Sequence, residues 1–212
     1  MDICNFEVLQ AFIIDNNINA VINCAAYTAV DKAEEDAEIS EQVNSTGVSN
    51  LVNALQTVNG KLIHISTDYV FDGNHFLPYK ESDTISPIGV YGATKRLGEL
   101  AIINSEIDSI VIRTSWLYSS YGNNFVKTML RLGNEKENLG VVYDQVGTPT
   151  YARDLAKTCL EILCENTSEN ISKNGNLYHY SNEGVTSWYD FAISIMELGE
   201  ENCIVNPIQT KT

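Results

Sequence analysis

Positive charge is scarce in this sequence of 212 residues. Thirteen lysines and arginines stand against 28 aspartates and glutamates, which gives a formal net charge of −15. Because a phosphate backbone is bound by a cationic surface, this balance argues against a general nucleic-acid-binding protein. A small anionic ligand stays compatible with it, since one pocket can be positive on an acidic protein.

Cys-x-x-Cys pairs are also absent. The five cysteines are odd in number and scattered, which predicts neither a zinc site nor a disulfide framework, and free thiols in a reducing compartment fit best. There is no recognisable signal peptide and no apolar run long enough to span a bilayer. We therefore expect no membrane contact and a location in the cytoplasm.

Apolar patterns of helical and strand type alternate along the chain, which is typical of βαβ units and a parallel sheet. With 44% hydrophobic and 19% charged residues, we expect a globular protein of one large or two small domains. Residues 170–175 are predicted to form a solvated loop, and residues 200–212 a mostly polar tail. The predicted strands are 18–24, 62–65, 109–114, 139–143 and 177–180. The predicted helices are 6–16, 30–41 (helix or loop and helix), 43–55, 91–102, 122–132, 152–166 and 187–198.

The clearest chemistry follows the strand at 62–65. Thr67 and Asp68 come at its end, and Tyr91 and Lys95 lie four residues apart, on one face of the next helix. A lysine ammonium beside a phenol favours the phenolate, so we expect Lys95 to lower the pKa of Tyr91 toward neutrality. Such a tyrosine exchanges a proton with a reacting oxygen that the Thr67 hydroxyl can hold. The set suits carbonyl/alcohol interconversion, although an ordinary surface pair has the same spacing.

Three segments carry a resemblance to a known family: residues 66–73 (STDYVFDG), 86–87 (SP) and 91–95 (YGATK). They are similar to the extended short-chain dehydrogenase/reductase family, and within it to the dTDP-4-dehydrorhamnose reductases. The resemblance runs from Asp2 to about Pro207. It implies an α/β fold with a Rossmann-like, doubly wound parallel sheet and a small C-terminal substrate-binding region. The implied domains are 1–135, a partial NAD(P)-binding domain with the catalytic residues, and 136–212, a partly interleaved substrate-binding region.

The resemblance also implies a reaction. NADPH would give hydride to the C4 keto carbon of dTDP-4-dehydro-L-rhamnose, Tyr91 would donate the proton, and Thr67 would bind the keto oxygen. Lys95 would tune Tyr91 and hold the nicotinamide ribose, while Asp68 and Trp116 would contact the nucleotide-sugar. The implied product, dTDP-L-rhamnose, belongs to cell-surface polysaccharide synthesis.

Small residues after the strand at 18–24 allow two interpretations, a tight strand-to-helix crossing or a backbone that lines a cofactor. The resemblance favours the cofactor, NADPH or NADH. For Asn44 there are again two interpretations. A mid-helix asparagine is usually an exposed polar position, whereas the resemblance implies that Asn44 supports a water relay to Lys95. A magnesium ion at a homodimer contact is implied without assigned ligands. The implied cofactor-binding residues are Asp2, Ile3, Ala25, Ala26, Tyr27, Thr28, Ile65, Tyr91 and Lys95.

A Gly-rich phosphate-binding turn of the G-x-G-x-x-G type is missing from the sequence. We therefore interpret the chain as a reductase truncated at both ends, whose strand at 18–24 becomes an unprotected edge. We expect this chain alone to bind NADPH weakly or not at all, and to aggregate or recruit a partner.

Other activities remain open at this point. Related nucleotide-sugar dehydratases have an Asp-Glu pair after the threonine, and Tyr69 follows Asp68 here, which favours simple reduction. The alternatives are another nucleotide-sugar reductase or epimerase, and a non-catalytic relative that binds and regulates a partner. The missing Gly-rich turn favours this last alternative, while the presence of Thr67, Tyr91 and Lys95 argues against it.

Overall fold

The computed structural model describes residues 1–164, 172–173 and 176–210. Helices and short strands alternate through these residues, as the apolar patterns predict. The α-helices are α1 (Phe6–Asp15), α2 (Ala37–Glu41), α3 (Gly47–Gln56), α4 (Val90–Ile103), α5 (Phe125–Glu135), α6 (Ala152–Cys164) and α7 (Trp188–Leu198). The strands are β1 (Ala20–Asn23), β2 (Lys61–Thr67), β3 (Asp108–Thr114), β4 (Leu117–Tyr118), β5 (Asn138–Val142), β6 (Val146–Gly147), β7 (Thr150–Tyr151), β8 (Ser172–Lys173), β9 (Asn176–His179), β10 (Thr186–Ser187) and β11 (Ile204–Ile208).

The main sheet is parallel and has the order β1-β2-β3-β9, with β8 antiparallel to the start of β3. The expected α/β fold with a parallel sheet is confirmed. Since β1 pairs with β2 alone among the described strands, it forms an edge of this sheet, as expected for the strand at 18–24. In the register, Asn23 lies beside His64, and Thr67 lies beside Thr114.

One face of this sheet changes character along its length. Near the strand starts, Leu62 and Val111 pack with α1 and α3 in an apolar core. Side chains alternate between the two faces of a strand, so His64 and Ser66 share the face of Leu62, and Arg113 shares that of Val111. On this face β2 changes from Leu62 to His64 and Ser66, and β3 from Val111 to Arg113. Both strands therefore become polar on this face toward their carboxyl ends, where parallel sheets bind ligands.

A π-helical turn, Gln42–Thr46, precedes α3 where a continuous helix was expected over 43–55. Asn44 lies in this turn with no exposed side-chain surface, so its interpretation as an exposed mid-helix position is wrong. The acidic stretch 30–41 forms a 3₁₀ turn, Asp31–Glu34, followed by α2. π-Helical turns concentrate at functional sites, which draws attention to this segment.

The chain forms two compact units. The first comprises 1–114 and 159–179, and the second comprises 115–158 and 180–212. The predicted boundary after residue 135 therefore falls inside the second unit. The reason is that α5 packs against α7 and β5 in one core, whose buried members include Met129, Ala192, Ile195 and Met196.

The polar tail contains a strand that the sequence pattern did not indicate. Residues of β11 pair in parallel with β5, from Ile204 beside Asn138 to Ile208 beside Val142. The predicted loop 170–175 lies outside the described residues apart from β8, and so does the predicted end of α6 at residue 166. None of the described helices has the length and apolar character needed to cross a bilayer.

Candidate active site

Helix α4 places the central side chains. It begins at Val90, whose backbone N–H donates to Glu34 Oε1 at 2.7 Å. Tyr91 and Lys95 are one turn apart on it, as predicted. A side chain at Gly92 would clash with the Tyr69 carbonyl oxygen, and one at Gly98 would clash with that of Asn44. These glycines let α4 approach the backbone of two other segments directly.

Tyr91 contacts the end of β2. Its phenol lies close enough to the Thr67 side chain for that side chain to affect its pKa, and its ring meets that of Tyr69 edge to face at 5.5 Å between centroids. Burial raises the pKa of Tyr91 to about 12. The Thr67 side chain acts in the opposite direction, and the nearby Asp68 carboxylate adds to the increase. The expectation that Lys95 brings the pKa of Tyr91 toward neutrality is therefore wrong for this structure.

The direction of the Lys95 side chain explains this difference. Its Nζ donates to the Ile65 carbonyl oxygen at 2.7 Å and lies 3.3 Å from His64 Nε2. The residue is 1% exposed. Burial lowers the pKa of Lys95 to about 8, although the charges of Glu99 and Cys24 act in the opposite direction. Lys95 is thus held against β2 rather than against the phenol.

Thr67 and Asp68 form a second polar group beside Tyr91. The Thr67 hydroxyl donates to Asp68 Oδ1 at 3.2 Å and accepts the Tyr69 backbone N–H at 3.2 Å. Burial raises the pKa of Asp68 to about 6, and the hydrogen bond from Thr67 opposes that change. Asp68 therefore titrates close to neutral pH, next to the predicted proton donor.

Asn44 holds the loop that follows β1. Its Oδ1 accepts the Tyr27 backbone N–H at 2.9 Å, and its Nδ2 donates to the Tyr27 carbonyl at 3.1 Å and to Thr94 Oγ1 at 3.2 Å. The side chain therefore joins the loop at Tyr27 to α4. The predicted water relay from Asn44 to Lys95 stays a prediction.

Most of the predicted cofactor residues lie in two segments of the first unit, the loop after β1 and the residues just before α1. Ala25 and Thr28 are exposed in the loop after β1, while Ala26 and Tyr27 are half-buried. Ile3 lies just before α1, and its carbonyl accepts a hydrogen bond from Asn50. Cys4, next to Ile3, donates from Sγ to the Gln42 carbonyl at 3.5 Å. The π-helical turn therefore holds both the segment before α1, through Gln42, and the loop after β1, through Asn44.

Trp116 belongs to the second unit. Its indole stacks on that of Trp188 with 3.5 Å between ring centroids and 9° between planes. The residue has φ +47°, in the left-handed region that non-glycine residues rarely occupy. The predicted contact of Trp116 with a nucleotide-sugar stays a prediction. In the same unit, Asp144 accepts hydrogen bonds from the backbone N–H and hydroxyl of Thr210.

Four buried polar residues around α4 were not predicted. His64 and Asn23 face each other at 3.0 Å. Glu99 accepts from Arg113 and from the Ser66 hydroxyl at 2.6 Å. The sequence contained one signal that could have revealed these buried polar residues, namely polar residues within otherwise apolar strands. His64 interrupts the apolar run 62–65 and lies on the same strand face as Ser66.

Among the residues that the structure describes, no group of three or more histidine, cysteine, aspartate or glutamate side chains could hold a metal ion. The implied magnesium ion therefore has no assigned ligands in this chain.

Comparisons with known proteins agree on one family. The model of the family described as "RmlD substrate binding domain" matches residues 1–212. A dTDP-4-dehydrorhamnose reductase of Aggregatibacter actinomycetemcomitans is 44% identical over 197 residues, which are 93% of this chain and 67% of the relative. Spore coat polysaccharide biosynthesis protein SpsK of Bacillus subtilis (strain 168) is 42% identical over 177 residues, 84% of this chain and 60% of the relative. The chain thus spans about two thirds or less of the length of these relatives.

A solved structure is similar over nearly the whole chain. It is the dTDP-4-dehydrorhamnose reductase of Bacillus anthracis str. Ames in complex with NADP, with a TM-score of 0.92 and 40% identity. The match covers 99% of this chain and 73% of that one.

Proposed function

Since this chain belongs to the RmlD substrate binding domain family, we propose that it is the catalytic part of an NADPH-dependent dTDP-4-dehydrorhamnose reductase. The reaction is reduction of the C4 keto group of dTDP-4-dehydro-L-rhamnose to the alcohol of dTDP-L-rhamnose. The observation that carries this proposal is the position of the Tyr91 phenol next to the Thr67 side chain at the carboxyl end of β2. The relatives named as such reductases support it.

The residues around β1 and β2 fit a dinucleotide. Ala25 and Thr28 are exposed at the carboxyl edge of the parallel sheet, and their small side chains leave the backbone accessible to a ligand. We assign the segment Ala25 to Thr28 and the residues Asp2 and Ile3 to NADPH binding, with Lys95 near the nicotinamide ribose. When bound, NADPH supplies the hydride.

Tyr91 is suited to give a proton to the substrate oxygen. Because the pKa of Tyr91 is about 12, its phenol carries its proton throughout the neutral range, which is the state that a general acid needs. The Thr67 hydroxyl, next to Tyr91, can hold the same oxygen. The charge that develops there is thus met by two hydroxyl groups.

Asp68 and Trp116 are the proposed contacts with the nucleotide-sugar. The carboxylate of Asp68 lies beside Thr67 and is in place to accept hydrogen bonds from sugar hydroxyls. A homodimer, magnesium binding and a cytoplasmic location complete the proposal as predictions from the family resemblance.

The proposal is tested by NADPH oxidation at pH 7 with dTDP-4-dehydro-L-rhamnose. The assay uses this chain and a version that carries a Gly-rich strand-turn-helix segment ahead of Met1. We expect turnover in the longer version, and a loss of about 100- to 10,000-fold on Tyr91→Phe. Tyr121→Phe is the matched control, because Tyr121 is 85% exposed.

Two results would overturn the proposal. One is the absence of turnover in both well-folded proteins, which would favour a binding or regulatory role. The other is unchanged activity in Tyr91→Phe, which would exclude this phenol as the proton donor.

A further inference from the structure

Both faces of the Trp116 indole are covered by residues of the second unit. A Cβ atom on Gly147 would lie 2.5 Å from Cε2 of this indole, 2.7 Å from Cζ2 and 2.8 Å from Nε1. Cε2 is bonded to the other two atoms, so a contact that is closest to Cε2 comes from above the ring and not from its edge. Trp188 stacks on the indole with 3.5 Å between centroids and 9° between planes. Because Trp188 already covers one face, Gly147 lies on the other.

Main-chain hydrogen bonds hold Gly147 and Trp188 relative to each other. Gly147 pairs with Thr186 where β6 meets β10, and Trp188 begins α7 two residues later. The backbone N–H of Trp188 also donates to the Gln145 carbonyl at 3.3 Å. We call the space between the Gly147 main chain and the Trp188 ring the indole slot. Its width is set by this short sheet.

Trp116 is bound to the same segment on either side of its own backbone. Its carbonyl accepts the N–H of Thr150 at 3.2 Å, and the hydroxyl of Ser115 donates to the Thr148 carbonyl at 2.7 Å. The φ of Trp116 is +47°, and a residue keeps such a strained conformation where its surroundings fix it. Here those surroundings are the residues that directly follow Gly147.

Gly147 provides room for the indole, and its own backbone does not require a glycine. Its φ lies outside the left-handed region, so the main chain at this position accepts an alanine. The indole cannot move away from an added methyl group, because Trp188 is already in van der Waals contact on the far side. A leucine at position 188 would still cover that far face. Gly147 is therefore the position where one methyl group displaces the indole.

An indole that is covered on both faces meets a ligand with its edge. Trp116 is half-buried, its Nε1–H donates to no other described residue, and this atom is not fully buried. An indole N–H is a donor only, so the ligand must offer an acceptor. Phosphate and hydroxyl oxygens of a nucleotide-sugar are such acceptors, whereas a base cannot stack on either ring face while the slot is filled.

We propose that Gly147 is a positioning residue, which keeps the indole slot open so that Trp116 presents its Nε1–H edge, and not a ring face, to the nucleotide-sugar. The contact with the nucleotide-sugar rests on the proposed reductase function. The slot itself does not depend on that function, so the two can be tested separately.

The first test uses circular dichroism, because the chain has two tryptophans. Stacked indoles give an exciton couplet, which therefore reports on this pair and should disappear in Trp116→Phe. We expect Gly147→Ala to lose the couplet. Gly140→Ala is the matched control, since Gly140 lies in β5 of the same unit and its methyl group would meet the Ile208 side chain at 3.2 Å or more. No couplet in the parent, or an unchanged couplet in folded Gly147→Ala, would overturn the proposal.

A double-mutant cycle tests the same contact through stability. Gly→Ala in a strand normally stabilises a protein by reducing the entropy of the unfolded chain, so a loss of stability in Gly147→Ala indicates a clash. The shift of the urea midpoint that Gly147→Ala causes should fall to less than about half in the Trp116→Leu background. If Gly147→Ala does not fold, recovery of folding in the double variant gives the same support. An equal shift in both backgrounds, or a double variant that also fails to fold, would overturn the proposal.

In the longer, active protein, displacement of the indole should weaken substrate binding. We expect Gly147→Ala to raise the KM for dTDP-4-dehydro-L-rhamnose by about 10-fold, which corresponds to the loss of one hydrogen bond. Both kcat and the KM for NADPH should stay within about twofold of the parent values. A parental KM for the nucleotide-sugar in Gly147→Ala that has lost its couplet would contradict the positioning role.

Trp116→Phe separates contact through the edge from contact through a ring face. Phenylalanine keeps an aromatic face but has no N–H, so Trp116→Phe should raise the KM for the nucleotide-sugar as much as Trp116→Leu does. A parental KM in Trp116→Phe would show that a ring face is used and would overturn the proposal. Absence of turnover in the longer parent, together with the expected couplet and cycle, would count against the reductase proposal alone.

Discussion

Arg113 binds the carboxylate of Glu99 through two nitrogens, with Nε 2.8 Å from Oε1 and Nη2 2.7 Å from Oε2. The two side chains are 3% and 0% exposed. The pair connects β3 to α4 one turn after Lys95. The Ser66 hydroxyl on β2 donates a hydrogen bond to the same carboxylate, so β2 is connected to α4 as well. It therefore fixes the distance between the helix that carries Tyr91 and the strand that carries Thr67.

Removal of Arg113 should leave a buried carboxylate without its main partner. We expect Arg113→Met to lower the free energy of unfolding by about 3–5 kcal/mol, measured by urea denaturation at pH 7. Arg131→Met is the control, since Arg131 forms an exposed ion pair with Glu135, and such pairs contribute little. Equal losses in the two variants would contradict the structural role of the buried pair.

Asp68 should make stability depend on pH in the mildly acidic range. Burial raises the pKa of Asp68 from 3.8 to about 6, so between these values the folded state binds more protons than the unfolded state. The free energy of unfolding then falls as pH rises through this window and levels off above it.

The variant Asp68→Asn removes this proton linkage. The free energy of unfolding of Asp68→Asn minus that of the parent should be about 1–2 kcal/mol larger at pH 7 than at about pH 3.5. A tenfold change in proton affinity corresponds to about 1.4 kcal/mol, and solvent partly screens this side chain. Urea denaturation at both pH values measures this. A difference that does not vary with pH would rule the linkage out.

Gly92→Ala and Gly98→Ala should each destabilise the protein, although alanine is the better helix former. The added methyl group would meet the carbonyl oxygen of Tyr69 or Asn44, and backbone atoms move less readily than side chains. We expect a loss of about 1–3 kcal/mol, measured by thermal or urea unfolding. Gly133→Ala is the comparison: its methyl group would meet the Met196 side chain, which is flexible. A larger loss at Gly133 than at Gly98 would contradict this view of α4.

The stack of Trp116 on Trp188 should appear as a coupling energy. A double-mutant cycle of Trp116→Leu and Trp188→Leu should give about 0.5–1.5 kcal/mol of interaction in unfolding experiments. A higher KM for the nucleotide-sugar in Trp116→Leu, without one in Trp188→Leu, would support the separate prediction of substrate contact. Additive effects on stability would show that the stack contributes nothing beyond each ring alone.

The sequence predicted most of the first unit because its elements are periodic. The strand at Lys61–Thr67 and the helix at Val90–Ile103 have strong apolar patterns, and the spacing of Tyr91 and Lys95 follows from the helix itself. The strand Ile204–Ile208 was missed because its partner β5 is distant in sequence and its own residues are mostly exposed.

The pKa of Tyr91 shows a second limit of reasoning from spacing. Two residues on one helix face are neighbours, but the direction of a long side chain depends on what lies across from it. The Ile65 carbonyl and His64 on β2 draw Lys95 away from the phenol, and only the three-dimensional register of β2 against α4 reveals this. Asn44 is similar, because the π-helical turn that buries it has no signal in the apolar pattern.

The glycines of α4 have a mechanical consequence. Side chains normally form a layer between a helix and its neighbours, and that layer lets the helix slide or roll by changes of rotamer. At Gly92 and Gly98 this layer is missing, and main chain rests on main chain. The positions of Tyr91 and Lys95 relative to Tyr69 and Asn44 are thus set by incompressible backbone contact, so any movement that opens or closes this site must come from the segments around α4 and not from the helix.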